Sequence, residues 1–390
     1  MKILLVGEYS NVHWTLAEGL RLLGHEVKVL SNGDFWKNYP RDYSLVRESG
    51  RWSGVKYMFD LLRLLPKMRG YDVVQLINPM FLELTAERLF SVYRYLRRNN
   101  KKVILGAYGM DYYWVKTGSS TQSPFRYGDF NIGHELRTNV EAESERKDWL
   151  GTAKERLNKL IATDSDAIVA GLYEYWRCYE PVFPQKTVFI PFPIDCEKDK
   201  RPIQYYTPDR KVRIFVGVSK SRSAYKGTDI MLSAAQDLRD KYADRVELKV
   251  AEGIPFAAYC EMMEKSDVIL DQLYSYTPAM NALQAMSRGI ICVGGGEPEN
   301  YDILNETELR PIINVTPSYE SVYHQLEALI MHPERIADLQ SQSVAYVKRH
   351  HDYIKVAQQY EALYSTNRQI AVYLPFLNSI NSIVGQAPNR

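Results

Sequence analysis

Cysteine is scarce in this sequence. Cys178, Cys196, Cys260 and Cys292 are the four in 390 residues, and no two form a Cys-x-x-Cys pair. A zinc site or a redox pair is therefore excluded as an organising feature, and reduced thiols in a cytosolic protein are the simplest reading. Apolar runs are short as well. None approaches the roughly 18 consecutive residues of a membrane span, and the opening Met-Lys-Ile-Leu-Leu-Val-Gly lacks both the length and the small-residue cleavage site of a signal peptide. Charge of one sign is also missing: 49 Lys and Arg face 47 Asp and Glu, which excludes nucleic acid as the main partner. No internal repeat or low-complexity segment is present. The expected location is the cytoplasm.

What is abundant is alternation. Short apolar runs recur at Lys2–Val6, Val27–Leu30, Val73–Ile77, Lys102–Ala107, Ala167–Ala170 and Thr187–Ile190. Helical spacing separates them, over Trp14–Leu23, Tyr57–Leu65, Phe81–Arg97 and Glu143–Ile161. Runs buried on both faces between amphipathic helices predict a parallel sheet with right-handed crossovers. The rhythm breaks at the proline-rich, charged stretch 191–202 and restarts with Val212–Val216, Val246–Val250, Val268–Leu270, Ile290–Val293 and Ile312–Val315. Two doubly wound α/β domains facing a central cleft follow, at 1–200 and 201–365. A mildly apolar tail, 366–390, is expected to dock back on the globule. A ligand in such a protein sits outside the carboxyl ends of the strands.

Three segments of the second half carry the chemistry. In Val216-Gly-Val-Ser-Lys-Ser-Arg-Ser-Ala-Tyr-Lys-Gly-Thr-Asp229, a strand ends at Gly217 and a small-residue loop brings Lys220, Arg222 and Lys226 beside a helix start, an arrangement that suits a diphosphate. A solvated basic loop is the other reading of the same residues. In Tyr276-Thr-Pro-Ala-Met-Asn-Ala-Leu-Gln-Ala-Met-Ser-Arg-Gly289, Thr277 and Pro278 mark a predicted helix start. The N–H groups of residues 277–281 (through Ala279, Met280 and Asn281) would then point into the cleft, with Gln284 within reach of ribose hydroxyls. In Gly294-Gly-Gly-Glu-Pro-Glu299, Gly295 and Gly296 allow close backbone approach, and Glu297 and Glu299 can bind hydroxyls.

Together these segments resemble the donor-binding domain of GT-B-fold glycosyltransferases, especially the retaining enzymes of family four. The resemblance is carried by Lys220 or Arg222 ahead of Lys226-Gly227, by Gln284-Ala-Met-Ser-Arg-Gly289 and by Gly295-Gly-Glu-Pro-Glu299. In the first half it is carried by Gly7 and His13 before Leu16-Ala-Glu-Gly-Leu-Arg-Leu-Leu-Gly-His-Glu-Val27, and by Pro191-Phe-Pro-Ile-Asp195. It implies a GT-B fold, a nucleotide diphosphate sugar as donor, a glycan or lipid-linked acceptor in surface polysaccharide synthesis, retention of configuration, and no metal or other cofactor. It also implies a leaving-group role for Lys226 with Arg222 or Lys220, and donor contacts at Tyr276, Gln284 and Glu299. The chain departs from the family where Tyr276 and Gln284 replace both carboxylates of a Glu-x7-Glu element, and where Tyr108-Gly-Met-Asp111 stands for His-Gly-x-Asp. Asp111, Tyr108, Gly7 and His13 are the acceptor-side candidates. A sugar-binding partner without turnover and a sugar-nucleotide epimerase remain the rival readings.

Two further features are expectations from the residues alone. The loop Tyr112–Arg137, rich in aromatic rings and containing His134 and Glu135, reads either as a platform for a stacked sugar or as an ordinary solvent-facing excursion. The basic cluster Arg94, Arg97, Arg98, Lys101 and Lys102 reads either as a peripheral contact at the inner face of a membrane or as a solvated helix end.

Overall fold

Runs of four to six apolar residues cannot stay in water on either face, and in the computed structural model each becomes a strand of one of two sheets, the most apolar of them in the sheet interiors. The structure describes residues 1–197, 202–203, 205–219 and 223–366. The expected tail beyond Thr366 lies outside them, as do Lys220 and Arg222.

The first sheet has seven strands in the order Tyr43–Ser44, Glu26–Ser31, Lys2–Val6, Val73–Leu76, Lys102–Ala107, Ala167–Ala170 and Thr187–Phe189. The second has five, in the order Val246–Glu252, Val212–Val218, Val268–Leu270, Ile291–Gly294 and Ile313–Asn314. Every neighbouring pair in both sheets is parallel. The strand order reverses direction beside Lys2–Val6 in one sheet and beside Val212–Val218 in the other. Crevices open at such switch points, and Gly7 and Gly217 stand at them.

The helix expected over Glu143–Ile161 is two helices, Val140–Trp149 and Ala153–Asp164. Gly151 takes a left-handed φ of 74° between them, and Thr152 caps the second by accepting from the Lys154 N–H at 3.2 Å. The helix expected from Phe81 begins only at Ala86. The last described helix, Tyr353–Ser365, falls in the range expected for the second domain, yet it packs on the first. Its Tyr360 and Tyr364 reach the first sheet, where the Tyr364 hydroxyl donates to Gln75 Oε1 at 2.7 Å. Lys102 Nζ donates to the Tyr364 carbonyl at 2.6 Å. Gly19 makes this crossing possible, since a Cβ there would lie 2.6 Å from the Tyr353 carbonyl oxygen. The chain changes lobes where the Ile194 N–H donates to the His351 carbonyl at 2.6 Å and the Tyr353 N–H returns to the Ile194 carbonyl at 3.1 Å.

Candidate active site between the lobes

At the switch point of the second sheet, the short helix Ser223–Lys226 follows the strand Val212–Val218. The Lys226 carbonyl accepts from the Leu273 N–H at 2.9 Å, which ties this turn to the segment beyond Val268–Leu270. Asp271, the first residue of that segment, is buried. Burial pushes its carboxyl up, while the Lys226 ammonium and hydrogen bonds from the Ala279 N–H and the Gln272 and Asn281 side chains pull it down. Asn281 also donates to the Tyr259 hydroxyl at 2.9 Å. The Tyr259 ring leaves no room at Gly217, where a Cβ would lie 2.6 Å from it.

The two remaining segments meet backbone to backbone. A Cβ at Gly295 would lie 2.3 Å from the Ser275 carbonyl oxygen and 2.8 Å from the Thr277 nitrogen. The Gly296 N–H donates to Asn314 Oδ1 at 2.9 Å, and the Glu297 N–H donates to the Tyr276 carbonyl at 3.1 Å. Thus the residues quoted from three separated motifs share one rim.

That rim differs from expectation in what it faces. The helix begins at Met280, with Ala279 as its cap, rather than at Thr277 and Pro278. The N–H groups just ahead of it are occupied by Glu174, which sits on the first-lobe helix Tyr173–Tyr179. Its Oε1 accepts from the Tyr276 N–H at 2.7 Å, the Thr277 N–H at 3.2 Å and the Ser275 hydroxyl at 3.1 Å. Its Oε2 accepts from the Thr277 hydroxyl at 2.6 Å. Burial raises this carboxyl against those same bonds. Sequence reasoning missed Glu174, because nothing local marks a helix-start glutamate as a partner of residues a hundred positions later.

The loop after Tyr112 is not an open sugar platform. It folds into the helix Tyr112–Gly118 and the hairpin Asn131–Ile132 with Glu135–Leu136. Trp114, Phe125 and Tyr127 are buried, while His134 and Glu135 stand exposed at the hairpin tip. Its basic side chains seal it to the second lobe. Arg126 donates to Glu297 Oε2 at 2.8 Å and to the two oxygens of Glu299 at 2.6 and 3.0 Å. The same guanidinium lies 4.8 Å from the Tyr276 ring centre, and the Arg126 N–H donates to the Tyr276 hydroxyl at 2.6 Å. The Arg126 guanidinium in turn holds Glu299 below the ordinary carboxylate range. Glu297 also accepts from the Tyr127 hydroxyl and, at 3.0 Å, from Asn314. Arg137 stacks on Tyr274 at 3.5 Å and donates to the Ala224 carbonyl at 2.7 Å. Asp129 accepts from the Trp114 indole N–H at 2.9 Å and the Tyr225 hydroxyl at 2.6 Å. Tyr276 is therefore enclosed by the interface, and Gln284, on the helix Met280–Met286, is half-buried.

On the first-lobe rim the acceptor-side candidates turn inward. His13 is fully buried: Nδ1 meets the Gly7 carbonyl at 2.8 Å and Nε2 meets Gln75 at 3.2 Å. Burial lowers it to about 3, so it is a neutral clasp on the Gly7 turn. Tyr108 bonds the Tyr360 hydroxyl and lies 3.3 Å from Gln75 Nε2, joining the last helix to the sheet. Asp111 caps the helix Tyr112–Gly118, accepting from the Trp114 N–H at 2.9 Å and the Tyr179 hydroxyl at 2.7 Å. Burial raises it to about 6. These three hold the fold around the rim instead of reaching across it. Glu8, also missed in the sequence, accepts from the His13 and Trp14 N–H groups at 3.1 and 2.9 Å. Burial outweighs those bonds and raises it to about 8.

In the basic cluster at Arg94–Lys102, Arg97, Lys101 and Lys102 are engaged within the fold, while Arg94 and Arg98 stand exposed. Arg97 pairs with Asp166 at 3.0 Å, Lys101 with Asp72 at 2.7 Å, and Lys102 serves the last helix. No helix among the described residues is long and apolar enough to cross a membrane.

No family model matches this chain, and no curated protein matches it. Solved structures do. HepE from Anabaena, crystallised with UDP-glucose, is similar over 94% of this chain and 100% of its own, at 12% identity and a TM-score of 0.58. Sucrose-phosphate synthase from Thermosynechococcus elongatus is similar over 93% of this chain and 98% of its own, at 13% identity and a TM-score of 0.58. The UDP-GlcNAc 2-epimerase from Neisseria meningitidis, bound to UDP-GlcNAc, covers 94% and 100% at 13% identity and a TM-score of 0.51. The chain has the GT-B fold, two parallel α/β domains around a shared rim.

Proposed function

We propose that this chain is a glycosyltransferase that moves a sugar from a nucleotide diphosphate sugar to a glycan or lipid-linked acceptor of a surface polysaccharide, with retention and without a metal cofactor. The observation that carries this reading is the meeting of Lys226, the 275–281 segment and the 294–299 loop at the strand-order reversal of the second sheet. That reversal is where open α/β sheets place their ligands. Similar folds crystallised with UDP-sugars support a uridine diphosphate sugar as the first donor to try.

Breaking an anomeric C–O bond leaves negative charge on the departing phosphate, and preorganised cations lower that barrier. Lys226 takes this role, helped by Arg222 and Lys220. Gln284 and Glu299 orient the donor, and Gly217, Gly295 and Gly296 let the backbone approach it. The acceptor hydroxyl attacks from the leaving-group face, and the departing phosphate takes its proton. Because Glu174 and Arg126 cross the rim, binding requires the lobes to part at these contacts and reclose on the donor.

Purified protein, a panel of nucleotide diphosphate sugars and detection of released nucleotide test the reading. Turnover of at least one donor is expected. Thermal stabilisation by donor without release or transfer would favour the second reading, a sugar-binding partner protein. That reading gains support from Tyr276, which stands enclosed where the family carries a carboxylate. An isomerised nucleotide sugar as product would identify an epimerase.

A further inference from the structure

The helix Ser53–Leu64 leaves an apolar row in water. Trp52 at its cap is 72% exposed, Val55 63%, Phe59 58% and Leu62 60%. Their spacing of three and four residues puts them on one face, while the opposite face buries Tyr57 and Leu61 against the first lobe. Single exposed hydrophobes need no explanation, but four in one row do. Beside the row runs an open groove of about 740 Å³ lined by Arg47, Arg51, Val55, Met58, Phe59 and Arg88 among others.

The charge around this row is one-sided. Between Arg47 and Arg69 stand six basic side chains (Arg47, Arg51, Lys56, Arg63, Lys67 and Arg69) and two acidic ones (Glu48 and Asp60), in a chain whose whole formal charge is +2. Lys56 is neutralised by Glu48. Arg51 and Arg69 pair with no acidic group among the described residues, and the Arg63 guanidinium lies over Phe59, 5.5 Å from its ring centre. Exposed aromatic and aliphatic side chains flanked by unpaired cations match the interface of an anionic bilayer, where rings enter the acyl boundary and guanidinium groups stay among phosphates.

We infer that the Ser53–Leu64 face, with its flanking arginines, seats the protein on an anionic phospholipid surface. This surface is distinct from the Arg94–Lys102 cluster, which carries no row of exposed apolar side chains and in which Arg97, Lys101 and Lys102 are engaged within the fold. Its location is consistent with a role in transfer. Gly54 and Tyr57 share a cavity with Glu83, Leu84 and Thr85, and the Glu83 N–H donates to the Tyr57 hydroxyl at 3.1 Å. Glu83, Leu84 and Thr85 lie in the segment that leaves the carboxyl end of the Val73–Leu76 strand, so the helix adjoins the rim of the first lobe. Only this last point rests on the transferase reading; the lipid contact does not.

Vesicle flotation of the full chain tests it without any turnover. The protein should float with phosphatidylcholine vesicles containing phosphatidylglycerol and remain below with pure phosphatidylcholine. The double variant Phe59→Ser/Leu62→Ser and the double variant Arg51→Glu/Arg63→Glu should each weaken flotation by about 10-fold or more. All four side chains are solvent-exposed, so circular dichroism and melting should match the parent. Equal flotation with both vesicle types, none with either, or retention by both variants overturns the inference. A concentration-dependent dimer abolished by Phe59→Ser/Leu62→Ser also overturns it and assigns the face to a second copy. Loss of vesicle binding leaves donor release in solution as a separate readout, so failure here and failure of the transferase reading are distinguishable.

Discussion

Arg126 of the first lobe and Glu299 of the second form a two-point ion pair, at 2.6 and 3.0 Å, across the rim where the donor is proposed to bind. The guanidinium is about half exposed, so the pair contributes little to overall stability, on the order of 1 kcal/mol or less. Its effect is on how closely the lobes approach. Arg126→Ala should leave the melting temperature nearly unchanged but speed amide exchange at 125–127 and 297–299, with Lys2–Val6 still protected. Unchanged exchange at both loops would show that the remaining contacts hold the rim without it.

Glu174 is the more deeply buried tie, and its four hydrogen bonds serve three consecutive residues of the other lobe. Glu174→Ala strands buried donors at about 1–3 kcal/mol, and thermal denaturation should show it as a clear loss. Glu174→Gln keeps an accepting oxygen for the N–H groups, and a rotated Thr277 hydroxyl can accept from the new amide. Its loss should be the smaller of the two, and the reverse order would contradict the geometry.

Lys226→Ala removes a half-buried cation that faces Asp271. Donor turnover should fall by about 100-fold or more, the scale of losing one charge-stabilising donor in a transition state. Melting should shift little. Near-parental turnover of released nucleotide would remove Lys226 from the leaving-group role.

Stability should depend on pH in two opposed windows. His13 and His351 are buried and lowered to about 3, so the unfolded chain takes up protons that the folded chain refuses. Their contribution is complete above an unfolded value near 6.5 and is lost as pH falls from there toward 3. Glu8 acts oppositely. Raised to about 8, it stays protonated in the folded chain after the unfolded chain has released its proton, so stability drains away between about 4.5 and 8. Asp111, raised to about 6, acts with Glu8, so the two carboxyls offset the two histidines between about 4.5 and 6. Melting temperature should therefore decline from about pH 6.5 to 8 and, on the acid side, below about 4.5. Glu8→Gln should flatten the decline from 6.5 to 8 and steepen the acid-side loss between about 4.5 and 6.5, where Glu8 opposes the histidines. A parallel decline in the variant would exclude Glu8 as its cause.

The strands, their parallel pairing and the two-lobed division were legible in the chain because burial on both faces writes itself as continuous apolar runs, and helix spacing as a period near 3.6. The same local logic singled out three glycine-bearing segments of the second lobe, and the described residues of all three meet at one rim. It failed where partners are remote. His13 and Tyr108 look like rim residues along the sequence, and only packing against Gln75 and the last helix shows them to be interior. The aromatic loop after Tyr112 reads as an exposed platform, and only Asp129, Arg126 and Arg137 reaching the second lobe reveal a seal. Composition and periodicity determined which backbone this chain builds, because they act on each residue's contact with water. Which side chains face the gap between the lobes was decided by contacts spanning from 33 to 252 residues, and no local pattern encodes those.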